Sequence, residues 1–202
     1  MVATGSHDIV AKAVFVPEKH VSLPLGTTLG GAASYLTRIP VIPFLALTAA
    51  IPALGAARRA AELYRQLVGE RVRFGTKRVQ GQSSASQIRL ADVYARIRAA
   101  ETVLRDCARS IETQARGESE MGPLEETQLR LAIARVVHEC LRAVRTIMDG
   151  SGANVHFLDQ ELGRIHRDVQ MMSTHTIFDM ELASQQCGRA LLEAKDPLFA
   201  RP

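Results

Sequence analysis

From Pro43 onward, apolar side chains recur at three- and four-residue steps through segments many turns long. That period belongs to helices with one apolar stripe; strands alternate their faces every second residue. The first helix is expected from Pro43 to Arg71, with Leu47, Ile51, Leu54, Ala57, Ala61, Tyr64 and Leu67 on its stripe. The second should run from Ser83 to Gly117 on Leu90, Val93, Ile97, Leu104, Cys107 and Ile111. Its other face carries Asp92/Arg96 and Glu101/Arg105 as i,i+4 pairs. Gly122-Pro123 restarts the chain, and Glu125 and Glu126 fall in a first turn, where the helix dipole favours acids. The third helix turns Leu129, Ile133, Val136, Val137, Cys140, Leu141, Val144 and Ile147 inward until Gly150-Ser151-Gly152 breaks it. A fourth, with Leu158, Leu162, Ile165, Val169 and Met172, ends near Ser173. A fifth starts at Thr176, whose spacing to Asp179 is that of a capping box, and carries Phe178, Leu182, Cys187 and Leu191. Four long amphipathic helices and a short fifth predict a mainly α fold, an antiparallel four-helix bundle.

The head of the chain obeys a different rule. Asp8-Ile9-Val10-Ala11-Lys12 and Ala13-Val14-Phe15-Val16 are strand-like and stop at Pro17. Two short strands alone leave both edges open and are not stable, so the chain is expected to begin inside a sheet whose remainder lies elsewhere. A connector with Gly26, Gly30, Gly31 and Pro40 leads to the first helix.

Composition narrows the function classes. At 202 residues and 47% hydrophobic the chain can bury a core and is not disordered. Cys107, Cys140 and Cys187 lie far apart, each inside a helical pattern, so neither a disulfide scaffold nor a metal site is expected. Aromatics at 4% with no Trp give no stacking platform, and a net charge of +4 is spread along the chain, so nucleic acid is not an expected partner. MVATGSHDIV lacks a basic region followed by an apolar stretch, so no secretory leader is expected and the location should be cytoplasmic. Val41 to Ala57 is uncharged but shorter than the ~20 residues of a membrane span, and Pro43, Pro52 and Gly55 interrupt it. A kinked core helix is expected there, and no membrane.

Four segments in order carry a resemblance. ATGSHDIVAKAVFVPEKH (3–20) is similar to the last strands of a β-domain, and ERVRFGTKRVQGQSSASQIRLAD (70–92) to an R-x-x-FG…Q…LAD signature. DGSGANVHF (149–157) and GRIHRDV (163–169) are similar to a Gly-rich turn followed by an R-x-x-RD helix. Together they resemble the acyl-CoA dehydrogenase superfamily, specifically its flavin-dependent monooxygenase branch, and only the C-terminal half of that family. The resemblance implies residues 1–23 as the end of a β-domain, 24–42 as connector and 43–202 as the C-terminal helical bundle. It also implies a homo-oligomer, a dimer or tetramer, that takes reduced FMN or FAD from a separate flavin reductase. The reaction implied is hydroxylation of a small aromatic or polyketide-like substrate by a C4a-hydroperoxyflavin.

Residues around these motifs suit flavin. Guanidinium groups of Arg71 and Arg73 can pair bidentately with phosphate, and Phe74 offers a flat apolar contact. By resemblance, Arg71 and Phe74 reach the flavin of a neighbouring subunit; the alternative is a plugging Phe and solvated arginines. At Gly150, Ser151 and Gly152, glycines allow close backbone approach and a free N–H could meet an anion, although a plain helix cap explains the same residues. Arg164, Arg167 and Asp168 read as structural helix pairs. Where dehydrogenases of the family keep a catalytic Glu, this chain has Ser173-Thr174-His175-Thr176, and the other usual place, Pro43 to Leu47, has no carboxylate. The resemblance makes His175 the catalytic residue, one that deprotonates or orients a phenol, a task suited to an imidazole titrating near neutrality. Two alternatives stay open: an acyl-CoA dehydrogenase-like oxidoreductase, and a non-catalytic helical oligomerisation module.

Overall fold

The computed structural model describes residues 8–21 and 38–193. Five α-helices follow in order: α1 (Val41–Glu70), α2 (Ser84–Arg116), α3 (Pro123–Ser151), α4 (Glu161–Ser173) and α5 (Met180–Glu193). Short 3-10 turns, Gln80–Gln82, Ala153–His156 and Thr176–Phe178, lie in their connections. Helix α3 is the hub and packs against the other four. Direction alternates along the first three. Arg38 donates to the Ala115 carbonyl at one end (3.0 Å), and at the other Arg89 reaches the Tyr64 hydroxyl (3.5 Å) and Arg71 the Ser151 carbonyl (2.7 Å). This is the antiparallel bundle expected, but with three long helices: α4 has 13 residues and α5 has 14. Leu158, expected in the fourth helix, precedes it and is exposed.

The buried face of α1 is set one step away from the expected stripe. Ala46, Leu47, Ala50, Ala53, Ala57, Ala60, Tyr64 and Val68 are buried, whereas Ile51 is 55% exposed. An alanine-lined face lets a neighbouring backbone approach closely, and the summed dispersion attraction of that close packing outweighs burying one larger side chain. Val41–Glu70 is long and apolar enough, by length and composition, to cross a bilayer. Its packing and polar ties are those of a bundle helix: Arg59 grips both carboxylate oxygens of Glu161 (2.9 Å each), fastening the start of α4 to α1.

Caps explain the helix limits. Ser83 Oγ accepts the Ser86 N–H at the head of α2, and Gly117, at φ 78°, closes its other end in the left-handed region. At the head of α5 the cap is Asp179, whose Oδ1 accepts the Leu182 N–H (2.9 Å), and Thr176 instead begins a separate 3-10 turn. The carboxylate, with charge to offer the helix N-terminus, takes the capping position expected of the hydroxyl.

Strands are absent among the described residues. The strand-like runs at 8–16 form no strand, bend at Ala13 (φ 50°) and are largely exposed, followed by a single 3-10 turn, Glu18–His20. Ladder bonds need a neighbouring strand, and none is offered to them among the described residues. His7 and the connector's Gly26, Gly30 and Gly31 lie outside the described residues.

Glu101, expected on the outer face of α2, is 6% exposed. Three arginines close over it: Arg58 of α1 (2.5 Å), Arg105 (2.8 Å) and Arg98 (3.1 Å). Hydrogen bonds from Arg105 and Arg58 hold its carboxyl at about 2, down from 4.5. The unfolded chain therefore takes up this proton first as pH falls, so the contribution is whole above pH 4.5 and is lost on the way down to about 2. Chemical denaturation across that window is expected to show stability falling with pH, and Glu101→Gln is expected to flatten the slope. An unchanged slope in that variant would show that the arginine cage does not set acid stability. Arg164 and Arg167 form no ion pair with Asp168 among the described residues. Exposed pairs of that kind gain too little to be held.

The three thiols are free and buried. Burial pushes Cys107 up to about 11 and Cys140 up to about 12.

Candidate functional site

After α1 the chain makes a tight loop rather than entering α2 directly. Val72 bridges Val79 antiparallel, Arg73 N–H donates to the Arg78 carbonyl (3.0 Å), and Thr76 N–H donates to the Arg73 carbonyl (3.0 Å). Gly75, at φ 73°, holds the left-handed position that such a turn reserves for glycine. Phe74 stands at the tip with its ring wholly in solvent. A large aromatic side chain so displayed offers its whole apolar face to a contact.

Beside this loop is a cleft of about 440 Å³ lined by Arg71, Arg73, Phe74, Arg89, Asp149 and Gly152, among others. Three guanidinium groups against one carboxylate make it positive. Arg71 also serves the fold, since its donation to the Ser151 carbonyl and that of Gln80 to the Gly150 carbonyl (2.8 Å) satisfy the open end of α3.

The glycine turn is placed differently from the anion-binding reading. Gly150 and Ser151 belong to the last turn of α3, and what they offer the cleft is carbonyl oxygen, already bonded to Arg71 and Gln80. A helix C-terminus is the negative end of its dipole, so these residues hold arginines rather than phosphate. Gly152 ends the helix at φ 77°, and a Cβ there would stand 2.6 Å from Arg71 Nη1. Gly150 is equally close-packed, with Tyr64 Oη 2.7 Å from where its Cβ would be.

His175 lies on the turn between α4 and α5 and is exposed. Its Nδ1 accepts the Ile177 N–H (3.2 Å), and its ring is 6.3 Å from that of Phe178 at 58°. A nitrogen that accepts carries no proton, so the neutral ring is protonated at Nε2, the nitrogen left for a ligand. The turn is tied to His138 in the middle of α3, so it lies about 20 Å along the helix from Ser151 and the arginine cleft. Within one chain His175 and the Arg71–Phe74 loop do not meet.

Sequence reasoning missed Gln80 and Arg89, which line the cleft with Arg71. Both lie in the 70–92 segment, yet only the approach of α3 decides which side chains face its end.

A protein-family model described as acyl-CoA dehydrogenase, C-terminal domain, matches residues 47–180. A pigment production hydroxylase of Rhodococcus sp. (strain ATCC 21145) is 28% identical over 208 residues, 98% of this chain and 53% of that protein. The p-hydroxyphenylacetate 3-hydroxylase oxygenase component of Acinetobacter baumannii is 26% identical over 199 residues, 94% of this chain and 47% of that protein. The chain thus spans about half the length of the curated relatives it matches. Among solved structures, XiaF from Streptomyces sp., in complex with FADH2 and glycerol, shares the fold with a TM-score of 0.74 at 21% identity over 86% of this chain and 43% of that one.

Proposed function

Because this chain belongs to the family of acyl-CoA dehydrogenase C-terminal domains, we propose that it is the C-terminal part of a flavin-dependent monooxygenase oxygenase component. Its substrate is a small aromatic or polyketide-like molecule. The observation that carries the reading is the imidazole on the α4–α5 turn, where the resemblance puts a carboxylate in α-proton-abstracting dehydrogenases. The two hydroxylase relatives, each matching more than nine-tenths of this chain, support it. In this reading residues 1–23 end a β-domain, 24–42 connect, and 43–202 form the bundle.

Reduced FMN or FAD, delivered by a separate reductase, supplies dioxygen activation and oxygen transfer when bound. Arg71, Arg73 and Phe74 fit its phosphate and ring: two guanidinium groups at an open positive cleft and an aromatic face with nothing over it. The Gly150–Gly152 turn takes an indirect part by seating Arg71. His175 lies too far along α3 to share that ligand, so the loop and the imidazole serve two flavins in a homo-oligomer, each site completed by a second copy. His175 presents an Nε2–H. Its part is to donate a hydrogen bond that orients the substrate oxygen, because the nitrogen able to take a proton is already engaged by Ile177.

The test supplies the whole oxygenase of which this chain is the proposed C-terminal part with FMN or FAD, a flavin reductase, NADH, air and a panel of phenols, and follows products by mass. A product carrying one added oxygen atom is expected. Hydrogen peroxide alone with every phenol, or α,β-dehydrogenation of an acyl-CoA, defeats the reading.

A further inference from the structure

His138 sits half-buried midway along α3, and its Nε2 is 3.0 Å from the Phe178 carbonyl oxygen. A carbonyl can only accept, so His138 donates and its Nε2 carries the proton. Phe178 is 2% exposed, and its own N–H donates to the His175 carbonyl (2.8 Å). The next amide back, Ile177 N–H, donates to His175 Nδ1. One bond from the hub helix therefore secures the residue against which His175 rests, in a turn that supplies the partner of its Nδ1.

Burial of Phe178 in the core, with Ile177 packed against it, sets where the turn sits, but makes no bond to its backbone. Thr176–Phe178 is a single 3-10 turn, a geometry with weak internal bonds. Asp179, which follows it, is engaged with the head of α5. Glu139, beside His138, is paired with Arg96 and Arg142. No hydrogen bond other than that of His138 joins α3 to this turn among the described residues.

We propose that His138 is the positioning residue for His175: its bond from α3 fixes the Thr176–Phe178 turn and so holds His175 as the Nε2–H tautomer, set to donate. The catalytic meaning rests on the proposed function, but the positioning is a property of this chain and is testable without flavin.

The measurement is long-range ¹H–¹⁵N NMR of the imidazoles in the intact chain, in His138→Leu and in His138→Gln. In the unaltered chain both His138 and His175, when neutral, should give the Nε2–H pattern. His138→Leu should lose the single His175 tautomer and speed exchange of the Ile177 and Phe178 amides about fivefold, the equilibrium equivalent of one net hydrogen bond. His138→Gln, whose side-chain amide can donate to the same carbonyl, should restore both. An Nδ1–H tautomer for His175 in the unaltered chain, or a His175 signature untouched in His138→Leu, overturns the proposal. If the leucine variant does not fold, the unaltered tautomers and the glutamine variant decide the matter. If the spectra behave as expected and His175→Ala nevertheless hydroxylates normally, the catalytic role of His175 fails and the anchor stands.

Discussion

Replacing His175 with alanine is expected to lower hydroxylation by ~10²- to 10³-fold, the loss that follows removal of a hydrogen-bond donor aimed at a reacting oxygen. The fold should hardly notice. His175 is exposed, and the substitution removes one cap bond, to Ile177 N–H, worth ~1 kcal/mol or less. The flavin contacts proposed for Arg71 and Phe74 are untouched by this substitution, so flavin affinity should be retained while turnover collapses. A glutamine at the same place separates two roles. If His175 orients by donating from Nε2, His175→Gln recovers part of the activity; if it must take a proton, glutamine is as inactive as alanine. Unchanged turnover in His175→Ala ends the assignment of this imidazole.

The largest effect on stability is expected from Gly163→Ala. Gly163 lies inside α4, where propensity alone favours alanine by ~1 kcal/mol. Here sterics reverse the sign, because the new Cβ would stand 2.3 Å from the Val155 carbonyl oxygen, a backbone atom that cannot swing aside. Either α4 or the Ala153–His156 turn must move, and overpacking of this kind costs ~1–3 kcal/mol or more. A net loss of about 2 kcal/mol lowers the melting temperature by about 4–8 °C for a chain of this size. Gly55 is the control. It also lies in a helix, but nothing stands within 4 Å of its would-be Cβ, so Gly55→Ala should stabilise by up to ~1 kcal/mol. Calorimetry on the two variants should give shifts of opposite sign, and equal shifts would refute the close approach of α4 to Val155.

Much of the fold was legible because it rests on periodicity. The limits of α2 and α3 follow from Ser83, Gly117, Gly122-Pro123 and Gly152, residues whose chemistry is local. Where tertiary packing decides, local reading went astray. Ile51 looked like core and is outside, because α1 packs through alanines; Glu101 looked like solvent and is inside, because Arg58 comes from another helix to meet it. The site divides in the same way. Arg71 and Phe74 could be picked out by residue type and motif, and His175 by what it replaces. The partners that orient them, the Ser151 carbonyl for Arg71 and Phe178 with His138 for His175, lie up to 80 residues away in sequence and leave no mark on spacing.

The sulfhydryl groups of Cys107, Cys140 and Cys187 have a practical use that follows from their burial. An alkylating reagent reaches them only when the helices part, so the speed of labelling reads out breathing of the bundle at α2, α3 and α5 separately, with no engineered probe. A preparation that takes up the reagent at rest is already coming open.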